Sequence, residues 1–251
     1  AEDSALTLVR NWFLGNSSQS GGALYFDNCD LLIRSNHFDA NRSLQSSGYG
    51  GAVLILNNSN GALEGNQFSN NVSENYGGAL ALKQSSLRIF RNLFVGNQAN
   101  RQGGGLYVDA GTFNPPQVHQ NDLYLNSVEG TNIGAAIYNN ADNPSFAASD
   151  NYWGKNPKFD ELVFNLTYHP TSTTAFFELP APIISQVSPP RGSADGNNLI
   201  TVTGDHFQSG LTLTLGGQPA THVLRPMISN PHYIGVVIIS LGILSVQISK
   251  R

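Results

Sequence analysis

The sequence predicts an all-β chain: a right-handed parallel β-helix of about six coils over residues 1–170, a linker over 171–181, and a small β-sandwich over 182–251. Three observations predict it. A motif of the form N-x-F-x-x-N recurs along the first half of the chain, and a second motif, G-G-A followed by alternating apolar residues, is interleaved with it. Between Thr171 and Pro182 the composition then turns to Thr, Ser and Pro before a different strand pattern begins.

The first motif stands at Asn11-Phe13-Asn16, Asn36-Phe38-Asn41, Asn66-Phe68-Asn71 and Asn92-Phe94-Asn97, and with leucine at Asn121-Leu123-Asn126. The second stands at Gly21-Gly22-Ala23, Gly50-Gly51-Ala52, Gly77-Gly78-Ala79 and Gly103-Gly104-Gly105, with a variant at Gly134-Ala135-Ala136. Equivalent positions lie 25 to 31 residues apart, the length of one coil whose short strands stack on those of the coil before. Each motif position thereby becomes a column along the stack.

Two kinds of column build the interior. Three positions before the first Asn stand Leu8, Ile33, Leu63, Ile89 and Val118, and with the Phe residues they form an inward set at period two. After the glycines come Leu24, Val53, Leu80, Leu106 and Ile137, then Phe26, Ile55, Leu82 and Val108. The Asn columns suit bends, because an inward amide can bond its own coil and stack on the amide of the next. The glycine pairs suit another corner, where positive φ or close backbone approach leaves no room for a Cβ.

A sixth coil begins at Asp150-Asn151-Tyr152-Trp153-Gly154, with Asn151 in the Asn column and Trp153 in the Phe column, and Val163–Pro170 reads as a closing strand. At these residues the chain resembles right-handed β-helix domains that end in N-Y-W-G followed by a strand and Y-x-P. The paired F-x-x-N and G-G-A repeats are similar to those of the chlamydial polymorphic outer membrane proteins, within the pectin-lyase-like fold. That resemblance implies surface display and adhesion.

Beyond the linker, Pro182-Ile183-Ile184-Ser185-Gln186-Val187-Ser188-Pro189, Gly192, Gly196, Ile200-Thr201-Val202-Thr203-Gly204, Phe207 and Leu215-Gly216-Gly217 with Ala220 resemble the IPT/TIG domain. The resemblance implies an immunoglobulin-like sandwich that serves as a spacer or interaction module. Ile200 and Val202 should face one way along their strand, Thr201 and Thr203 the other. The apolar stretch from Ile234 to Ile248 is interrupted by Ser240, Gly242, Ser245 and Gln247 and reads as two strands, so no membrane insertion is expected from this segment.

Only 12% of residues are charged, the formal net charge is −4, and no Lys/Arg-rich run is present, which argues against nucleic acid as a partner. Cys29, the one cysteine, can form no intrachain disulfide and reads as a half-buried residue at a coil turn. Polysaccharide lyases and hydrolases share the fold and form the rival reading, but their chemistry needs clustered carboxylates. Asp27 and Asp109 share a column with Leu56 and Lys83 between them; Asp39, Glu64, Asp122 and Asp150 fall in separate columns and read as solvated. Asp122 is the best single catalytic candidate among them, and His37 and His119 read as lone surface residues.

No catalytic residue, metal or cofactor is therefore expected. The fourth position after the glycines should point outward, and its tyrosines, Tyr25, Tyr107 and Tyr138, are the candidate ligand-binding residues. Loops 43–49 and 127–133 are the segments that could fold over them. Of the N-x-S/T sequons, those at Asn16, Asn41 and Asn71 lie on the inward ladder, which leaves Asn57 and Asn165 as glycosylation candidates. The expected whole is a binding or adhesion module of a larger extracellular or cell-surface protein, with a glycan or surface protein as partner.

Overall fold

The structure is a computed structural model that describes residues 1–109, 111, 115–130, 133–140 and 142–177, together with 183–189, 198–205, 212–215, 218–219, 222–229, 232–239 and 246–249. The chain divides into two compact units, Ala1–Phe177 and Glu178–Arg251.

The first unit is a parallel β-helix of about six turns. Its first coil lays down the strands Ala5–Val9, Trp12–Leu14, Ser17–Ser18 and Leu24–Asp27. Their counterparts in later coils stack on them in parallel, giving sheets of five, five, five and six strands. The register follows the motif columns: Leu8 on Ile33, Ile33 on Leu63, Leu63 on Ile89, Ile89 on Val118. Phe13, Phe38, Phe68 and Phe94 stack ring on ring at 4.7 to 4.8 Å, nearly parallel, which is the spacing of the coils themselves. Burying each of the inner rings contributes about 1.5–3 kcal/mol.

Why the strands are so short is a matter of corners. The residue before each first-column Asn adopts left-handed backbone: Arg10, Ser35, Gly65, Arg91, Gln120 and Asp150, with φ of 53° to 63°. The residue before each second-column Asn does the same: Gly15, Ala40, Asn70, Gly96 and Leu125. For an ordinary L-residue that conformation costs about 1–2 kcal/mol. The amide ladder offsets it. Asn71, for example, donates its backbone N–H and its Nδ2 to Asn97 Oδ1 in the coil ahead, at 3.0 and 2.9 Å, and Nδ2 also reaches back to the Phe38 carbonyl at 2.9 Å. Its own Oδ1 accepts the same pair of bonds from Asn41. Asn66 and Asn92 repeat this arrangement in the first column.

The glycine corner works differently. Gly50 takes a φ of +67°, but Gly51 does not need positive φ; a Cβ there would run into the Gly78 carbonyl of the next coil and the Val72 backbone. At this corner the backbone of the next coil occupies the space a side chain would need. Where the stack ends the constraint lapses: Ala135 stands in the Gly51 column and donates its N–H to the Glu161 carbonyl of the short helix Phe159–Leu162. Val163–Phe164 then pairs with Ile137–Tyr138, and Trp153, stacked above Leu123, is buried in the Phe column.

The segment after Pro170 does not leave the stack at once. Thr171 bridges to Asn151, Ser172 donates to the Asn151 carbonyl, and the chain stays with the first unit to Phe177. Among the described residues the second unit has two antiparallel sheets. One holds Ile183–Ser188, Asn198–Asp205, His232–Ile239 and His222–Ser229 in that order; the other holds Gln218–Pro219, Thr212–Leu215 and Val246–Ser249. Val202 is buried, whereas the side chains of Ile200, Thr201 and Thr203 lie outside the described residues, as do Gly192, Gly196, Phe207, Gly216, Gly217 and Ala220. Among the described residues no helix is long and apolar enough to cross a membrane.

Candidate functional site

The outward column of the six-stranded sheet runs Tyr25, Leu54, Ala81, Tyr107, Tyr138 and Phe164. Its tyrosines were expected to point outward and to lie open to solvent unless loops 43–49 and 127–133 folded over them. Only Tyr25 does, at 40% exposure; Tyr107 and Tyr138 keep 5% and 8%. Phe164 stacks on Tyr138, and Tyr107 is covered by the chain just before two of the glycine pairs. There Tyr49 and Tyr76 pair with one another in adjacent coils and lay their rings across the column, in the space that Ala81 and Leu54 leave free. Loop 43–49 thus covers the face; residues 131 and 132 of the other loop lie outside the described residues.

The result is a continuous aromatic array. Ring centroids are 5.2 Å apart for Tyr49 and Tyr76, 4.7 Å for Tyr76 and Tyr107, 6.0 Å for Tyr107 and Tyr138, and 4.6 Å for Tyr138 and Phe164. Tyr49, Tyr76 and Phe164 remain half-buried and form its accessible layer. Lys83 places its Nζ 4.2 Å from the Tyr49 ring centroid, and Asp109 follows Lys83 in register with Asn140 bonded to it. Burial, then Asp109 and the neighbouring phenols, push the Tyr107 hydroxyl far above its ordinary value; burial, then Tyr76, raises Tyr138. Burial also raises Tyr25, with Asp27 and Glu2 adding to it. Neutral phenols, one ammonium and one carboxylate suit stacking and hydrogen bonding with a neutral polyol. Tyr49 and Tyr76 were missed in the sequence because they sit outside the repeat columns, although each immediately precedes a glycine pair.

Asp122 is not the solvated carboxylate that its separate column suggested. It is fully buried, and its two oxygens accept backbone N–H groups from Phe176 and Phe177 at 2.8 and 2.9 Å. Burial raises its pKa, while the two N–H bonds pull it down. A carboxylate so occupied anchors the returning segment. Beside it Tyr124 is pushed up to about 12 by burial, then by Asp122 and Tyr152. Asp27 and Asp109 are separated in register by Leu56 and Lys83, and Asp39 accepts from Ser69 and Asn70.

The histidines are not alone either. His37 stacks on Trp12 at 4.0 Å and His119 on Phe90 at 5.7 Å; burial is the leading cause that lowers the pKa of each. Cys29 is buried outright, its backbone N–H donating to Ser59 Oγ. Among the sequons, Asn41 and Asn71 are fully buried and Asn57 is exposed in a turn. Asn16, expected to be inward, is exposed, since in the first coil it has the Asn41 amide on one side only. Asn165 is committed: its Nδ2 donates to the Asn140 and Asn143 carbonyls.

Compared with known families, the second unit is decided by a single finding. Residues 182–248 match the IPT/TIG domain. The IPT/TIG domain accounts for the two antiparallel sheets that follow the β-helix. The chain matches no curated protein and no solved structure.

Proposed function

We propose that this chain is a non-catalytic binding or adhesion module of an extracellular or cell-surface protein, with the β-helix as a rigid display scaffold and the IPT/TIG domain as spacer or interaction unit. The likeness of its F-x-x-N and G-G-A columns to chlamydial outer-membrane repeats belongs to the same proposal. The observation that carries it is the aromatic array, in which half-buried Tyr49 and Tyr76 are backed by Tyr107 and Tyr138 and edged by Lys83 and Asp109. Rings fixed by packing present a stacking surface at little entropic cost, and the partner they suit best is a neutral glycan.

The test is a glycan array and cell-binding assay with wild type and Tyr49→Ala/Tyr76→Ala, alongside turnover assays on pectin, alginate and chondroitin. Binding of neutral glycans should fall about tenfold or more in the double variant, which should still melt cooperatively as a folded β-helix. Unchanged binding would remove the array from the site, and turnover would overturn the non-catalytic reading.

A further inference from the structure

On the sheet built from Ala5–Val9 and its counterparts, the strand Ser86–Phe90 places Arg88 and Phe90 outward, and Arg91 follows at the left-handed corner. The Arg88 guanidinium lies 4.4 Å from the Phe90 ring centroid and that of Arg91 lies 5.7 Å from it. His119, in register with Phe90 one coil on, stacks on the same ring. Two guanidiniums and an imidazole are thus gathered round one phenyl group. Gly65, one coil before Arg91, presents no side chain, and a Cβ there would meet nothing nearer than Ser35 Oγ at 3.7 Å, so the flank of Arg91 is open.

Among the described residues the charge of this cluster is not taken up by ion pairs. Arg34 and Arg42 are each paired with a carboxylate, Glu64 and Glu74. Among the described residues Arg88 and Arg91 have no such partner, in a chain whose net charge is −4. Arg91 spends only its Nε–H, on Gln120 Oε1 at 3.4 Å. Stacking uses the face of a guanidinium and leaves its in-plane donors available. Glu64, in register with Phe90, is engaged by Arg34.

We infer that Arg88, Arg91 and the Phe90–His119 stack form a second binding site, distinct from the tyrosine array, for a sulfated saccharide. Two guanidiniums at 4.4 and 5.7 Å from one ring centroid offer more N–H donors than a planar carboxylate can engage, and the three free oxygens of a sulfate can accept from both. The aromatic pair supplies a surface for the sugar ring that carries the sulfate. The inference rests on the binding-module reading but not on the tyrosines.

The experiment is calorimetric titration of the whole chain with a heparin hexasaccharide, its desulfated and N-acetylated counterpart, and a poly-glutamate peptide of matched charge. Wild type should bind the sulfated hexasaccharide about tenfold or more tightly than the other two. Arg88→Gln/Arg91→Gln should lose about that factor, Arg88→Lys/Arg91→Lys should lose part of it, and Tyr49→Ala/Tyr76→Ala should retain it. Both arginines are exposed, so the fold should survive and the melting curve will show that it has. Undiminished binding by the Gln variant, no binding by wild type, or equal binding of poly-glutamate would each overturn the inference. If instead only the tyrosine variant behaves as wild type with every neutral glycan, the array reading fails while this site stands.

Discussion

Asparagine 71 and asparagine 57 carry the same sequon chemistry and opposite surroundings. Replacing Asn71 by Ala removes the acceptor for two Asn41 bonds and the donor for the Phe38 carbonyl, all in a fully buried corner. The expected cost is about 1–3 kcal/mol for each buried group left unpaired, against near neutrality for Asn57→Ala. Chemical melts check this. Peptide mapping after expression in a glycosylating host should find glycan on Asn57 and none on Asn41, Asn71 or Asn165, whose amides are already bonded. Asp122 makes a prediction in pH. Its folded pKa is raised above the ordinary 3.8, so the fold favours the protonated form. That contribution is complete below the unfolded value and is lost as pH rises through the raised one. Relative to Asp122→Asn, wild type should therefore gain stability as pH falls from about 7 toward about 4. A difference that stays flat would show that the two N–H bonds cancel the effect of burial, and one of opposite slope that they outweigh it.

At the scale of elements, the two glycine-bearing corners separate conformational strain from steric contact. Gly15 has a φ of +63° and empty space where a Cβ would stand, and its column tolerates Ala40, Asn70 and Leu125. Gly15→Ala should cost only about 1–2 kcal/mol of backbone strain. At Gly51 the same substitution drives a methyl group into the Gly78 carbonyl and the Val72 backbone, which cannot swing aside. Gly51→Ala should cost at least about 3 kcal/mol, or prevent folding, because two coils must separate. Equal melting temperatures for the two variants would refute the close approach at that corner.

The molecule as a whole consists of two units, and the end of the first is set by its last contacts. A chain cut after Phe177 should keep the melting transition of the β-helix, because the Asp122 anchor and the Asn151 bridge are complete. One cut after Pro170 loses both N–H partners of a buried carboxylate. Its transition should fall by roughly 5 to 10 °C. Differential scanning calorimetry of the two fragments decides, and identical transitions would mean that Thr171–Phe177 contributes nothing to the stack.

The coil length, the inward Leu, Ile and Phe columns, the Asn ladders and the glycine corner were all legible in the sequence, because each is a local requirement repeated at one spacing and reinforced in every coil. The IPT/TIG pattern was legible for the same reason, its strands and turns being contiguous in the chain. Tertiary structure alone decided what happens where unrepeated segments return to the stack. Period two states that Tyr107 and Tyr138 point away from the core, but not that Tyr49 and Tyr76 will pack over Tyr107 and Phe164 over Tyr138. Nor can it bring Phe176 and Phe177 back to Asp122 across more than fifty residues. Burial on an outer face depends on a covering segment whose own sequence carries no periodic signal, so its packing is settled only when the whole chain is in place.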